Sequence, residues 1–108
     1  MTRLLVVDDV PLVRAGLTSA LTAAGFEVVG EAGSAESAVA KAEEEQPDLV
    51  LLDVLMPGLS GLDVVEKITA VSPHSSVVLL TGSESEEDML TALKAGARGY
   101  IVKDMPFP

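Results

Sequence analysis

The sequence predicts an α/β domain built on an open parallel sheet, and two patterns carry that prediction. Short β-branched and leucine-rich runs alternate with longer segments at helical spacing, as repeated βαβ units require. Three of the runs are apolar throughout, without the polar alternation of a half-exposed strand, as in sheets covered on both faces. At 108 residues the chain suits one domain, because two halves of that length would each bury too little surface to be stable.

The first strand is expected over Leu4 to Val7. A helix follows from Pro11, whose fixed φ and missing N–H suit a first turn, with Val13, Leu17, Ala20, Leu21 and Ala24 on one face before Gly25 ends it. The second strand spans Glu27 to Glu31, and the second helix follows Ser34 as its cap. Its inward face is Ala35, Ala38, Val39 and Ala42, and Pro47 prevents continuation past the Glu43 to Glu45 run, which reads as a solvated face. The third strand, Leu49 to Leu52, leads to a third helix, Leu62 to Val71, stopped at Ser72-Pro73. The fourth strand is Val77 to Leu80. A fourth helix follows Ser83, which forms a capping box with Glu86, and ends at Gly96; the fifth strand is Tyr100 to Val102. There is no internal repeat or linker, and His74, beside Pro73, reads as an exposed loop residue.

Composition narrows the chemistry. Seven basic against seventeen acidic residues give a net charge of −10, which repels phosphate backbones and argues against direct nucleic-acid binding by this segment. No apolar run approaches the roughly 18 residues of a membrane span, and no signal peptide is recognisable, so no membrane partner and a cytoplasmic location are expected. With no cysteine and His74 the only histidine, a metal centre would have to use oxygen ligands, which suits Mg²⁺.

In open parallel sheets, ligands gather beyond the carboxyl ends of the strands. The residues there are Asp8 and Asp9 after the first run, Asp53 after the third, Thr81 and Gly82 after the fourth, and Lys103 after the fifth. Taken singly, each is ordinary: the acidic pair a helix-capping turn, Thr81 a strand-end hydroxyl, Lys103 a solvated charge, Tyr100 an aromatic on a half-buried strand. On one rim they acquire a common purpose. Adjacent carboxylates stay ionised at the edge of a core only when a cation or strong donors compensate them, and three carboxylates suit Mg²⁺. A carboxylate beside such a metal can also act as a nucleophile toward a phosphoryl group. Asp53 is the best placed, with Lys103, Thr81 and backbone N–H groups as donors to the phosphoryl oxygens.

Along essentially its whole length the chain resembles the receiver domains of two-component response regulators. The resemblance rests on Asp8-Asp9, Asp53 followed by Met56-Pro57, Thr81, Tyr100 and Lys103, all in family order. The stretches "PLVRAGL" (11–17) and "ALKAGARGYIVKD" (92–104) are similar to the NarL-like branch. The resemblance implies a flavodoxin-like, doubly wound five-stranded sheet of order 2-1-3-4-5 and a phosphorylation-activated switch. A histidine kinase phosphorylates Asp53 with Mg²⁺ held by Asp8, Asp9, Asp53 and the Leu55 backbone carbonyl. Thr81 and Tyr100 then couple the change to the surface, in front of a helix-turn-helix output domain that controls transcription. The domain catalyses only its own phosphorylation and dephosphorylation, and a homodimer is a further expected partner. Leu55 and Ser83 occupy positions that tune adduct lifetime in the family; an apolar Leu55 cannot orient a water, so slow self-dephosphorylation is expected. Two alternatives stay open: a small Mg²⁺-dependent aspartyl-phosphate phosphatase, against which Leu55 stands where such enzymes carry a second aspartate, and a receiver-like interaction module without phosphorylation. Right-handed crossovers in that strand order put the first helix alone on one face. A fifth helix would return to that face, so the sequence, closing in "DMPFP", is expected to be a receiver domain over 1–108 truncated at its C-terminus, with an uncovered apolar patch that favours association.

Overall fold

The computed structural model describes residues 2–53, 61–81 and 99–102, with positions 53, 61, 62, 80, 81 and 99–102 described as backbone. Five strands, β1 (Arg3–Val7), β2 (Glu27–Ala32), β3 (Leu49–Asp53), β4 (Ser76–Thr81) and β5 (Gly99–Val102), alternate with three helices, α1 (Pro11–Ala23), α2 (Ala35–Glu45) and α3 (Gly61–Val71). The strands form one all-parallel sheet of order β2-β1-β3-β4-β5, as expected. Each strand is one or two residues longer than its apolar run. Pairing uses the backbone alone, so it continues through Arg3, Ser76 and Asp53, which an apolar pattern leaves out. The fourth helix expected after Ser83 lies outside the described residues.

The two sides of the sheet are packed differently. Leu5, Val7, Val50, Leu52, Val77 and Leu79 face α2 and α3, where Ala35, Ala38, Ala42, Val64, Val65 and Ile68 complete a buried core. Alanines at three successive contact positions of α2 let its backbone approach the sheet closely. Leu4 and Val6 alternate with Leu5 and Val7, and so point to the opposite side, where α1 packs across β1 and β2. The inward face expected of α1 is only partly realised. Leu17 and Leu21 are half-buried, whereas Val13, Ala20 and Ala24 are exposed, and no residue of α1 is fully buried. Among the described residues α1 is the single helix on that side.

Helix α2 is closed tightly at both ends. Ser34 Oγ accepts from the Ser37 N–H at 3.1 Å while Ser37 Oγ accepts from the Ser34 N–H at 3.2 Å, a capping box with serine in place of the usual Glu. At the other end Pro47 disfavours the helical region at Gln46, which turns left-handed at φ 46°. Glu43 and Glu44 are solvated, but Glu45 is half-buried and its Oε2 accepts from Arg3 Nη2 at 3.1 Å, so the acidic run is not solvent-facing throughout. Arg3 also donates to the last carbonyls of α2, Glu45 O at 2.7 Å and Gln46 O at 3.2 Å, a cation placed where the helix dipole favours one. This cluster seals the amino-terminal rim of the sheet and leaves the opposite rim for chemistry.

Candidate functional site

The registers bring the predicted residues to one rim. Val7 pairs with Leu52, so Asp8 and Asp53 succeed them at the same level on neighbouring strands, whose backbones lie about 4.8 Å apart in such sheets. Asp53 in turn pairs with Leu80, the residue before Thr81, and Thr81 pairs with Val102, the last residue of β5. Tyr100 lies on β5 opposite Leu79. Leu55, Gly82, Ser83 and Lys103 fall outside the described residues, as does the "MPGLSG" segment but for Gly61, the first residue of α3.

Asp8 is fully buried and is fixed from three directions. Its N–H donates to Ala32 O at 3.0 Å, extending the β1–β2 ladder one residue past the strand. Its Oδ1 accepts from the Val10 N–H at 2.9 Å, an Asx-type turn that launches α1 behind Pro11. Its carbonyl oxygen accepts from Arg14 Nη1 at 2.8 Å. The helix-capping reading of the acidic pair therefore holds in part: Asp8 shapes the turn, but the N-cap of α1 is Val10, with no side-chain cap. Asp9, next in the chain, is half-buried.

This donor set fits a hard cation. A buried carboxylate is costly unless compensated, and Asp8, with Asp9 beside it and Asp53 on the adjacent strand, offers oxygen ligands only, the set Mg²⁺ prefers. Among the described side chains no group of three His, Cys, Asp or Glu is gathered; the third carboxylate, Asp53, is described as backbone.

Sequence reasoning overlooked Arg14. Its Nε meets Glu31 Oε1 on β2 at 3.2 Å while its Nη1 holds the Asp8 carbonyl, so one guanidinium ties α1 to the ends of two strands. The available signal was a single arginine, one of seven basic residues in an acidic chain, placed one turn into a helix that begins beside a carboxylate pair.

The chain matches the response regulator receiver domain family over residues 4–108. It is 43% identical over 103 residues to the nitrate/nitrite response regulator protein NarL of Escherichia coli K12, which covers 94% of this chain and 48% of that protein. It is 37% identical over 101 residues to the chemotaxis protein CheY of Thermotoga maritima, covering 94% and 84% respectively. The signal receiver domain of NarL from Mycobacterium tuberculosis superposes with a TM-score of 0.89 at 34% identity, over 97% of this chain and 86% of that one. The chain thus spans about half the length of the Escherichia coli NarL that it matches. No helix among the described residues is long and apolar enough to cross a membrane. A five-stranded sheet in 2-1-3-4-5 order, acidic residues at its carboxyl rim and this likeness in sequence and structure lead to one conclusion: the chain belongs to the response regulator receiver domain family and is NarL-like within it.

Proposed function

We propose that Asp53 is the phosphoacceptor of this receiver domain and that a sensor histidine kinase is the donor. The reading rests chiefly on the register that sets Asp53 beside the buried Asp8 at the sheet's carboxyl rim. An Asp53 carboxylate oxygen forms the new O–P bond as the P–N bond of a phosphohistidine breaks, and the proton on the departing imidazole comes from solvent. Asp8, Asp9, Asp53 and the Leu55 carbonyl would hold Mg²⁺, which when bound neutralises charge on the phosphoryl oxygens. Lys103 and Thr81 donate to those oxygens, and Thr81 and Tyr100 pass the change to the β4–β5 edge. The domain turns over only its own phosphoryl group. In this reading the segment acts in the cytoplasm and governs a helix-turn-helix output domain or a homodimer; the match to 48% of NarL leaves room for such a further domain in the relative.

Acetyl phosphate with Mg²⁺ should label the wild-type chain and leave Asp53→Asn unlabelled. Undiminished labelling of Asp53→Asn would overturn the assignment, and release of many phosphates per chain would favour a phosphatase instead.

A further inference from the structure

We infer that Arg14 is a positioning residue for the acidic pair, held in place by Glu31 and by the absence of a side chain at Gly33; the inference rests on the reading of Asp8 and Asp9 as cation ligands. The Asp8 backbone determines where both carboxylates project. Its N–H is fixed by Ala32 O and its carbonyl by Arg14 Nη1 at 2.8 Å, so the guanidinium pins the peptide joining Asp8 to Asp9 through its oxygen. Arg14 is oriented from β2, where Glu31 Oε1 engages its Nε at 3.2 Å. The guanidinium also leaves no room beside it: a Cβ on Gly33 would lie 2.8 Å from Nη1. Gly33 does not adopt a left-handed φ, so backbone conformation is not what requires glycine there. Space for the arginine is.

A fixed cation near two carboxylates could act in either of two opposed ways. As a charge it competes with a metal, and removing it should tighten metal binding. As a clamp it pre-organises the ligands, and removing it should weaken binding, as loss of an outer partner of metal ligands does. Gly33→Ala separates the two, since it alters no charge yet forces the flexible guanidinium tip off the Asp8 carbonyl.

The test is Mg²⁺ titration of the 108-residue chain, followed through the amide resonances of Asp9 and Val10, with thermal unfolding in EDTA as the control for folding. Gly33→Ala and Arg14→Met should each raise the Mg²⁺ dissociation constant about tenfold, the lower end for loss of such a partner. Arg14→Lys should fail to restore it, because one ammonium cannot serve Glu31 and the Asp8 carbonyl as a planar fork does. The unfolding midpoint of Gly33→Ala in EDTA should stay near that of wild type. Unchanged affinity in Gly33→Ala, tighter binding in Arg14→Met, or full rescue by Arg14→Lys overturns the inference. If Gly33→Ala does not fold, the direction of change in Arg14→Met decides. Saturable binding by wild type that Asp9→Asn weakens upholds the cation pocket independently; no saturable binding by wild type overturns the pocket reading and this inference with it.

Discussion

Gln46 is the one described non-glycine residue with a positive φ, and its side chain explains why the chain tolerates it there. Left-handed backbone costs about 1–2 kcal/mol for a residue with a Cβ. Against this, Nε2 shares its two hydrogens among Ala42 O at 3.3 Å, Glu43 O at 2.9 Å and Val71 O at 2.9 Å, while Oε1 accepts from Ser72 Oγ at 3.3 Å. One amide therefore closes α2 and joins it to the end of α3. Ser72 Oγ shares its one hydrogen between Gln46 Oε1 and Ser75 Oγ, and Ser75 Oγ donates to Pro47 O, extending the knot to the chain entering β3 and β4. Gln46→Ala should destabilise the domain by about 1–3 kcal/mol, the loss of two net hydrogen bonds with the backbone strain retained. Gln46→Gly should cost less, since glycine removes the strain along with the bonds. Urea unfolding of the three proteins measures the order, and equal stability of wild type and Gln46→Ala would contradict this account of the knot. None of it was legible beforehand: Pro47 announced that α2 stops, but which residue turns left-handed depends in part on a carbonyl 25 residues away.

At the scale of elements, legibility followed the strength of the local pattern. Helix α2 could be read to the residue at its start because Ser34 caps it, and Ala35, Ala38 and Ala42 recur at the helical spacing of its inward face. Helix α1 was located correctly but its buried face was not, since burial depends on what packs against a helix and periodicity reports only the helix's own side. The strands were recognisable from their apolar runs, and the residues expected at the rim beyond the third and fourth runs prove to be the polar last residues of β3 and β4. Those are the informative ones, because Asp53 and Thr81 close β3 and β4 at the rim. That rim position gives Thr81 its expected role. Thr81 pairs with Val102 and Tyr100 pairs with Leu79, so a pull on the end of β4 is expected to reach β5, which has one neighbouring strand among the described residues. Thr81→Ala should remain open to labelling by acetyl phosphate, yet show a smaller shift of the amide resonances of residues 99–102 on labelling. A shift of full size would move the coupling element elsewhere.

For the molecule as a whole, the described residues divide into a tightly packed core between the sheet and α2 and α3, and a helix α1 that buries none of its residues fully on the other side. Leu52 is 0% exposed in the core shared with α2 and α3, whereas Leu12 on α1 is 82% exposed. Leu52→Ala should therefore cost about 2–5 kcal/mol, as burial and cavity terms both apply. Leu12→Ala should stay within about 0.5 kcal/mol. Chemical denaturation distinguishes the two, and a comparable loss at Leu12 would mean that α1 is covered in solution by another surface. Asymmetry of packing accompanies asymmetry of ends: Arg3, Glu45, Gln46 and Asp48 tie the amino-terminal rim, while the carboxyl rim collects Asp8, Asp9 and Asp53 in a chain of net charge −10. Three carboxylates gathered there outweigh the nearby guanidinium and would repel a phosphoryl group, so labelling should depend on a divalent metal. The most direct test is mass-spectrometric mapping after incubation with acetyl phosphate, with borohydride reduction of any acyl phosphate to homoserine. The account predicts homoserine at position 53, formed with Mg²⁺ and absent with EDTA; an adduct at another carboxylate, or one that forms equally well in EDTA, would contradict it.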